Sequence, residues 1–541
     1  MAGKTKRSGA AALVEALAKA GVEVVFGYPG GNVVDVFDEL SRSHLRFVLG
    51  RHEQGLVHMA DGYARASGRP GVVIVTSGPG LTNTITGLGA ANMDGVPLVV
   101  VCGQVPLDQI GTDAFQEADT TGLTRSVSKY NFLVHSADEI PATVAAAFYI
   151  ATHGKPGPVV IDIPRDIQRD LTAAACPERV TLRSYHPECA ASISEVSRFA
   201  KLVNCARRPL ICAGGGIIAA GAAAELAHLA AKADIPVVTT MMGVGAMDER
   251  SPLALGLAGR HGTAAAVRAL AAADLVIALG VRFNDRVTGE NGRFAPKAAL
   301  VQVDVDPAAI GKNVPVELGI VADLKDFLAT VDSRIRARSR REWLAAVSGF
   351  RPRVRASRRR SGGLDPLAVM AAIDRRCAGE AIIATDVGQH QLWAVRCLTH
   401  VHARNLVTSG GMGAMGFGIP AAIGAAIARP GERVVAIVGD GGAQMTASEL
   451  IVAAELGLSV VFVVLVNRTL GLVRQIQDEE FGARHFATDL AVPDFVRLAA
   501  AYGVRACAAG DLKTLERALA AAFRAHAPCL IAVTIDPEAK A

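Results

Sequence analysis

Short apolar runs of strand length alternate along this chain with longer stretches in which apolar residues recur every three or four positions, and the alternation happens three times over. In the first block, Val24–Phe26, Gly71–Val75, Leu98–Cys102 and Val159–Ile163 are nearly continuous apolar runs. Ala-rich stretches such as Ala11-Ala-Leu-Val-Glu-Ala-Leu lie between them. A run with no polar alternation marks a strand buried on both faces, which is the signature of a parallel sheet covered by helices. The block closes at Asp162-Ile-Pro-Arg-Asp, and the irregular stretch through Ala173–Ala175 and Pro177 reads as a linker.

The second block opens with a predicted helix near Ser192–Val203. Its predicted strands are Pro209-Leu-Ile-Cys-Ala, Ile235-Pro-Val-Val, Leu275-Val-Ile-Ala-Leu and Ala299-Leu-Val-Gln-Val-Asp, and it ends near Leu328. Ser361-Gly-Gly reads as a joint to the third block, which begins near Pro366 and repeats the βαβ pattern. The expected fold class is therefore α/β, with three doubly wound parallel-sheet domains over residues 1–172, 190–330 and 364–541. Whether the first and third are related sheets is not decided by periodicity.

Composition agrees with three domains. A chain of 541 residues is too long for one core, and 51% hydrophobic with 20% charged residues describes a globular protein. Much of the +5 net charge comes from Arg338–Arg341 and from Arg351, Arg353, Arg355 and Arg358–Arg360. A solvated linker is the favoured reading of those runs, ahead of a nucleic-acid surface. Nine scattered cysteines with no C-x-x-C pair suit reduced thiols and a cytoplasmic setting. The N-terminus shows no secretory signal, and the longest apolar runs, such as Val460–Val466, are too short to span a membrane. A soluble protein with neither nucleic-acid nor membrane partner is expected.

Candidate chemistry sits first in the third block. The strand Arg433-Val-Val-Ala-Ile-Val ends in Gly439-Asp-Gly-Gly, and the strand Val460–Val466 ends in Asn467, 27 residues after Asp440. One crossover helix fits in that spacing, so a right-handed βαβ unit sets Asp440 and Asn467 at the carboxyl ends of neighbouring strands. A charged oxygen beside a neutral one suits magnesium, with phosphate and water completing an octahedron. Gly439, Gly441 and Gly442 let backbone N–H groups approach a diphosphate. The competing reading is a tight strand–helix turn with an ordinary Asp cap. In the first block, Arg51-His-Glu-Gln-Gly follows the apolar Phe47-Val-Leu and places Glu53 just past a strand. A surface helix cap would explain Glu53 alone. It would not explain His58-Met-Ala-Asp-Gly-Tyr-Ala-Arg and Thr76-Ser-Gly-Pro-Gly-Leu-Thr-Asn after it.

Asp440 with Asn467 resembles the thiamine-diphosphate binding motif, and Glu53 resembles the carboxyl group that activates that cofactor. Further segments resemble the catalytic large subunits of the acetohydroxyacid (acetolactate) synthase family. They include Gly27-Tyr-Pro-Gly-Gly, Thr112-Asp-Ala-Phe-Gln-Glu, Ala278-Leu-Gly-Val-Arg-Phe-Asn-Asp-Arg-Val-Thr-Gly, Asp386-Val-Gly-Gln-His-Gln-Leu-Trp and Thr408-Ser-Gly-Gly-Met-Gly-Ala-Met-Gly. The resemblance implies a pyrimidine-binding first domain, a central FAD-type domain and a diphosphate-binding third domain. It implies thiamine diphosphate, Mg2+ and FAD as cofactors, 2-keto acids as substrates, a homodimer or homotetramer, and a possible small regulatory subunit.

Carried over by resemblance, Asp440, Asn467 and Thr469 (through its backbone carbonyl) hold the metal. Tyr28, Pro29, Gly30, Glu53, Gly78, Asn83, Gln389, His390 and Met415 join Gly439, Gly441 and Gly442 around thiamine diphosphate. Met415 would support the bent cofactor, although core filling is an equal structural use of it. Phe115 and Gln116 would line the substrate pocket. Arg286 would meet the acceptor's carboxylate, in competition with an ion pair to Asp285. Gly214, Gly215, Thr240, His261, Arg282, Asp304 and Asp323 would hold FAD, which is structural in a reaction with no net redox change. The implied reaction is decarboxylation of pyruvate and ligation to a second 2-keto acid. Ile476 stands where the family has Trp, and the family's C-terminal tail is longer. These departures leave two alternatives open, a carboligase with a different acceptor and a catalytically silent partner subunit.

Overall fold

The computed structural model describes residues 6–289, 294–350 and 362–541. Three six-stranded sheets, all parallel, form its framework. In the first, the spatial order is Arg46–Leu49, Val24–Gly27, Gly71–Val75, Leu98–Gln104, Pro158–Pro164, Tyr130–Leu133. In the third it is Leu406–Val407, Ile382–Thr385, Val434–Gly439, Val460–Val466, Cys529–Thr534, Arg505–Ala509. Counted by appearance in the chain, both run second, first, third, fourth, sixth, fifth. The shared topology relates these two domains where periodicity could not.

The central sheet runs Ala254–Leu257, Val237–Thr239, Pro209–Ala213, Leu275–Leu279, Ala299–Asp304, Leu318–Val321. That is third, second, first, fourth, fifth, sixth, the order of dinucleotide-binding sheets. Each sheet reverses direction beside its first strand, and open α/β sheets take ligands at that reversal, beyond the carboxyl ends of the strands. The strands read from sequence appear within one or two residues of the expected bounds. The expected helix near Ser192 starts at Ile193, with Ser192 and Glu195 forming a reciprocal capping box.

The first and third domains share one core. Helix Glu53–Ser67 crosses helix Gly418–Ala428, and residues of both belong to a single apolar cluster with Phe26, Phe417 and Phe462. Glycine permits the close approach: a Cβ on Gly62 would overlap the Ala421 carbonyl, and one on Gly424 the Met59 carbonyl. The central domain is joined to the third by reciprocal bonds, Glu249 N–H to the His400 carbonyl at 3.1 Å and His400 N–H to Glu249 Oε2 at 2.9 Å.

One expectation is corrected. Within Arg338–Arg341, Arg338 and Arg341 are exposed as expected, but Arg340 is buried and donates to the carbonyls of Val203 (2.9 Å), Ala206 and Ala233. Helix Ile193–Cys205 ends there with carbonyls that lack helical partners, and a guanidinium with five donors satisfies them. Arg351–Arg360 and Ser361 lie outside the described residues. No helix among the described residues is long and apolar enough to cross a membrane.

The helix crossing gives a direct stability test. Gly424→Val should destabilise the protein by roughly 2–3 kcal/mol through overpacking. Gly510→Ala, where a Cβ would meet nothing, should stay within about 0.5 kcal/mol. Denaturant unfolding of both variants checks this, and equal stabilities would mean the helices separate at little cost.

Candidate active site

The first domain gathers its candidates at the reversal between strands Val24–Gly27 and Gly71–Val75. Tyr28–Gly30 leave the first of these strands and Thr76–Gly80 leave the other. Asn32 ties the two loops, its N–H donating to Thr76 Oγ1 at 3.3 Å and its amide to Ser77 Oγ at 2.7 Å. A Cβ on Gly30 would lie 2.6 Å from Thr76 and one on Gly80 2.8 Å from it, so only glycines let the loops nest.

Glu53 opens its helix from the neighbouring strand Arg46–Leu49, partly buried, and Asn83 Nδ2 donates to its Oε2 at 2.9 Å. Gly78, at φ +57°, faces the backbone of Gln116, which is itself held at φ +61°. A non-glycine residue in that region is strained, and strain of this kind collects at functional loops. Phe115 beside it is 86% exposed. The structure thus brings Gly30, Glu53, Gly78, Asn83 and Gln116 to one rim, with Tyr28 and Pro29 on its edge.

The third domain repeats the arrangement with different side chains. Asp386-Val-Gly-Gln-His leaves strand Ile382–Thr385, Asp440-Gly-Gly leaves Val434–Gly439 and Asn467 leaves Val460–Val466. Asp440 is buried, and its carboxylate accepts N–H bonds from Gly441 (2.9 Å), Asn467 (3.1 Å) and Arg468 (2.6 Å). Burial raises its pKa above the ordinary value while those bonds oppose the shift. Asn467 Oδ1 accepts the Thr469 N–H at 3.1 Å across a turn in which Arg468 has φ +58°. One carboxylate, one amide and nearby backbone carbonyls form an all-oxygen set for a hard cation. No group of three or more His, Cys, Asp or Glu that could hold a metal ion exists among the described residues, so a cation here would rely on Asp440, amide and backbone oxygens.

His390 stands over the glycines at this edge: a Cβ on Gly388 or Gly439 would lie 3.0 Å from its ring. Burial pulls its pKa down to about 4, so the ring is neutral at pH 7. Its Nε2 is buried with no hydrogen-bond partner among the described residues. An orphaned buried nitrogen above a glycine floor fits a donor waiting for a phosphate oxygen. Gln389 is buried beside it, its Nε2 donating to Gln475 Oε1 (3.1 Å) and to the Ala539 carbonyl (3.0 Å). The methyl of Met415 would lie 3.4 Å from a Cβ on Gly441, so Met415 borders this edge and is only partly buried.

A cavity of about 940 Å³ lies where the three domains meet. Gly215, Thr240, His261, Arg282, Asp304 and Asp323 all line it, together with Asp94 from the first domain and Ser409–Gly413 from the third. Gly214 serves from behind, since a Cβ there would overlap the Gly280 carbonyl. The volume is at the upper end for small-molecule sites and suits a dinucleotide. Asp323 spends its carboxylate on the Lys325 and Asp326 N–H groups at 2.8 and 3.1 Å, as a helix cap. Burial raises the pKa of Asp304. Arg286 is placed on the wall of this cavity, well exposed and 3.6 Å from Asp285.

Buried carboxylates that anchor the site loops escaped the sequence reading. Asp386 accepts N–H bonds from Val387 (2.8 Å), Gly416 (3.1 Å) and Gly418 (2.9 Å), and so fixes the loop that carries Met415. Burial pushes its pKa up to about 6. Asp94 accepts from Gly410 (2.9 Å), Gly411 (2.7 Å) and Arg65 (2.9 Å), and Arg65 also pairs with Asp61. Asp386 opens the segment Asp386-Val-Gly-Gln-His, but nothing in sequence marks either residue as a loop anchor.

The Gln116 loop is folded on Glu117, whose carboxylate accepts the N–H groups of Gly111 and Ala114, the latter at 3.0 Å. These bonds, that of Gly111 foremost, hold the Glu117 pKa below its ordinary 4.5. A depressed carboxylate pKa means the contact contributes above that ordinary value and is lost as the pH falls below it. Amide hydrogen exchange should show Gly111 and Ala114 protected at pH 7, less protected in acid, and unprotected at pH 7 in Glu117→Ala. Protection that ignores both changes would remove Glu117 from the loop's support.

Comparison with known proteins agrees with this layout. The thiamine pyrophosphate enzyme family matches in three parts: its N-terminal TPP binding domain over residues 7–123, its central domain over 196–331 and its C-terminal TPP binding domain over 386–533. A probable acetolactate synthase large subunit of Methanocaldococcus jannaschii is 42% identical over 98% of this chain and 92% of its own length. The acetolactate synthase of Mycobacterium bovis is 44% identical over 92% of this chain and 82% of its own. The acetolactate synthase isozyme 3 large subunit of Escherichia coli is 41% identical over 92% and 88%. With three domains matched in order and such identity along nearly its whole length, the chain belongs to the acetolactate synthase large-subunit family of thiamine pyrophosphate enzymes.

Proposed function

We propose that this chain is the catalytic subunit of an acetolactate synthase, joining two molecules of pyruvate into 2-acetolactate with loss of one carbon dioxide and uptake of one proton. The observation that carries the reading is the pairing of two different half-sites on one topology. One presents Glu53 held by Asn83, and the other presents Asp440 and Asn467 beside the unpartnered His390 nitrogen. A silent partner subunit has no use for both.

Bound thiamine diphosphate supplies an acidic carbon and an electron sink for 2-keto acid decarboxylation. Glu53 would hold a proton at the far nitrogen of the aminopyrimidine, and Asn83 orients its carboxyl group for that contact. His390 Nε2 and the N–H groups around Gly441 and Gly442 would receive the diphosphate. Asp440, Asn467 and the Thr469 carbonyl would hold Mg2+, with Met415 at the edge between metal and rings. Phe115 and Gln116 would exclude water from the substrate, and Arg286 would offer the acceptor's carboxylate a cation.

FAD is the proposed occupant of the central cavity, on Gly215, Thr240, His261, Arg282, Asp304 and Asp323. Burial first, then the charges of Arg260, Arg286 and Arg396, lower the pKa of His261, which suits a neutral ring stacked near a ligand. Because each cofactor half-site lies on a different domain, the reading includes a second copy of the chain that completes each site. The relatives are named large subunits, and a smaller regulatory chain is the further partner proposed.

Mutation separates the half-sites. Glu53→Gln should retain cofactor but slow exchange of its reactive carbon-bound proton by roughly 10²–10⁴-fold, as NMR would measure. Asp440→Ala should abolish magnesium-dependent cofactor binding in calorimetry. Unchanged exchange in the first variant, or tight binding in the second, would contradict the assignments.

Acceptor choice tests the reading further. Ile476 lies on helix Gly471–Glu480, next to the Gln475 that bonds Gln389, and is 37% exposed. A flat Trp at this position would grip an acceptor's alkyl group, and one methylene in an apolar pocket is worth about 1–3 kcal/mol. With equal pyruvate and 2-ketobutyrate, the wild type should make chiefly acetolactate. Ile476→Trp should raise the acetohydroxybutyrate share about tenfold. A strong acetohydroxybutyrate excess in the wild type would assign the grip to another residue.

A further inference from the structure

Glu449 ends a short segment that starts at Asp440. The helix Asp440–Met445 and the turn Ala447–Glu449 lead from the metal half-site to the boundary with the first domain. There the Glu449 side chain, fully buried, crosses into the other domain. Its Oε1 accepts the His52 N–H at 3.0 Å, and its two oxygens accept the Arg51 N–H at 3.2 and 3.1 Å.

A glycine makes the room for it: a Cβ on Gly55 would overlap the Glu449 carboxylate. Arg51 and His52 are the last residues before helix Glu53–Ser67, so the acceptor caps the helix whose first residue is Glu53. The local cap does less: His52 Nδ1 accepts only the Gln54 N–H, at 3.1 Å. Arg51 turns its guanidinium away to Glu455, so Glu449 meets its backbone and not its charge-bearing end. A carboxylate has acceptors on both oxygens, whereas a glutamine would set its own NH₂ against one of the two N–H groups.

We propose that Glu449 is a positioning residue for Glu53, fixing across the domain boundary the backbone from which the activating carboxyl is aimed. The inference rests on the role given to Glu53 above. Burial drives the Glu449 pKa up to about 7 against the Arg51 and His52 N–H bonds and the Arg51 charge, and Glu53 adds to the rise, as a carboxylate neighbour would.

The test combines two readouts. In cofactor-free Glu449→Ala protein, the Arg51 and His52 amides should lose their hydrogen-exchange protection. In the cofactor-loaded enzyme, the cofactor's proton exchange should slow by about 10²-fold, the scale of an ångström of misplacement, while magnesium-dependent cofactor affinity is kept. In a Glu53→Gln background, Glu449→Ala should add no further loss, because a residue acting only through Glu53 has nothing left to act on. Retained amide protection, wild-type exchange in Glu449→Ala, or additive losses in the double variant would each overturn the proposal. If the alanine variant fails to fold, Glu449→Gln keeps one acceptor and faces the same criteria, with only one amide released and a smaller slowing. Exchange unaffected by Glu53→Gln would sink the role of Glu53 and this inference together. Exchange slowed by Glu53→Gln but not by the Glu449 variants would sink this inference alone.

Discussion

The crossing of helices Glu53–Ser67 and Gly418–Ala428 is the contact on which the rest of the molecule depends. One helix begins at Glu53 and the other begins three residues after Met415, so a single packed seam fixes elements of both half-sites. Backbones can approach this closely only because Gly62 and Gly424 carry no Cβ. The core around the seam belongs to both domains at once, and neither sheet buries its inner helix alone. What the seam leaves open is the carboxyl edge of each sheet, where the candidates gather.

Around that seam, loops are held by buried carboxylates. Asp386, Asp94, Asp440 and Glu449 each accept two or more backbone N–H groups from segments distant in sequence. An unpaired buried N–H is costly, and a charged acceptor is a strong partner for it. Such a carboxylate therefore specifies one loop conformation where a Leu or Val would allow several. The Glu117 loop uses the same device at the surface. Loops fixed in this way leave less ordering for ligand binding to supply.

The sequence made the strands legible because fully buried β-branched runs such as Val460–Val466 have no other use at that length. The Asp440–Asn467 pair was legible because one crossover helix fixes its spacing, and the structure ties the Asn467 N–H to the Asp440 carboxylate. Less visible were the edge strands. Tyr130–Leu133 is half exposed and interrupted by Asn131, and Arg505–Ala509 is mostly exposed and built of small residues with no β-branched side chain. Arg340 was misread because a long cationic side chain signals solvent in sequence, while here it meets the open carbonyls of a helix end. Glu449 and Asp94 were invisible for a related reason. Their partners are backbone groups roughly 300–400 residues away, which carry no residue-type signal.

Under the proposed function, the Glu53 half-site of one chain works with the Asp440 half-site of another. Subunit complementation addresses it most directly, because a cyclic dimer with two shared sites has a defined mixing behaviour. Glu53→Gln and Asp440→Ala chains, each inactive alone, would be co-expressed in equal amounts and assayed for acetolactate from pyruvate. Half of the dimers are then mixed, and each mixed dimer holds one intact site. The account predicts recovery of about one quarter of wild-type activity; activity no greater than that of the separate variants would contradict it.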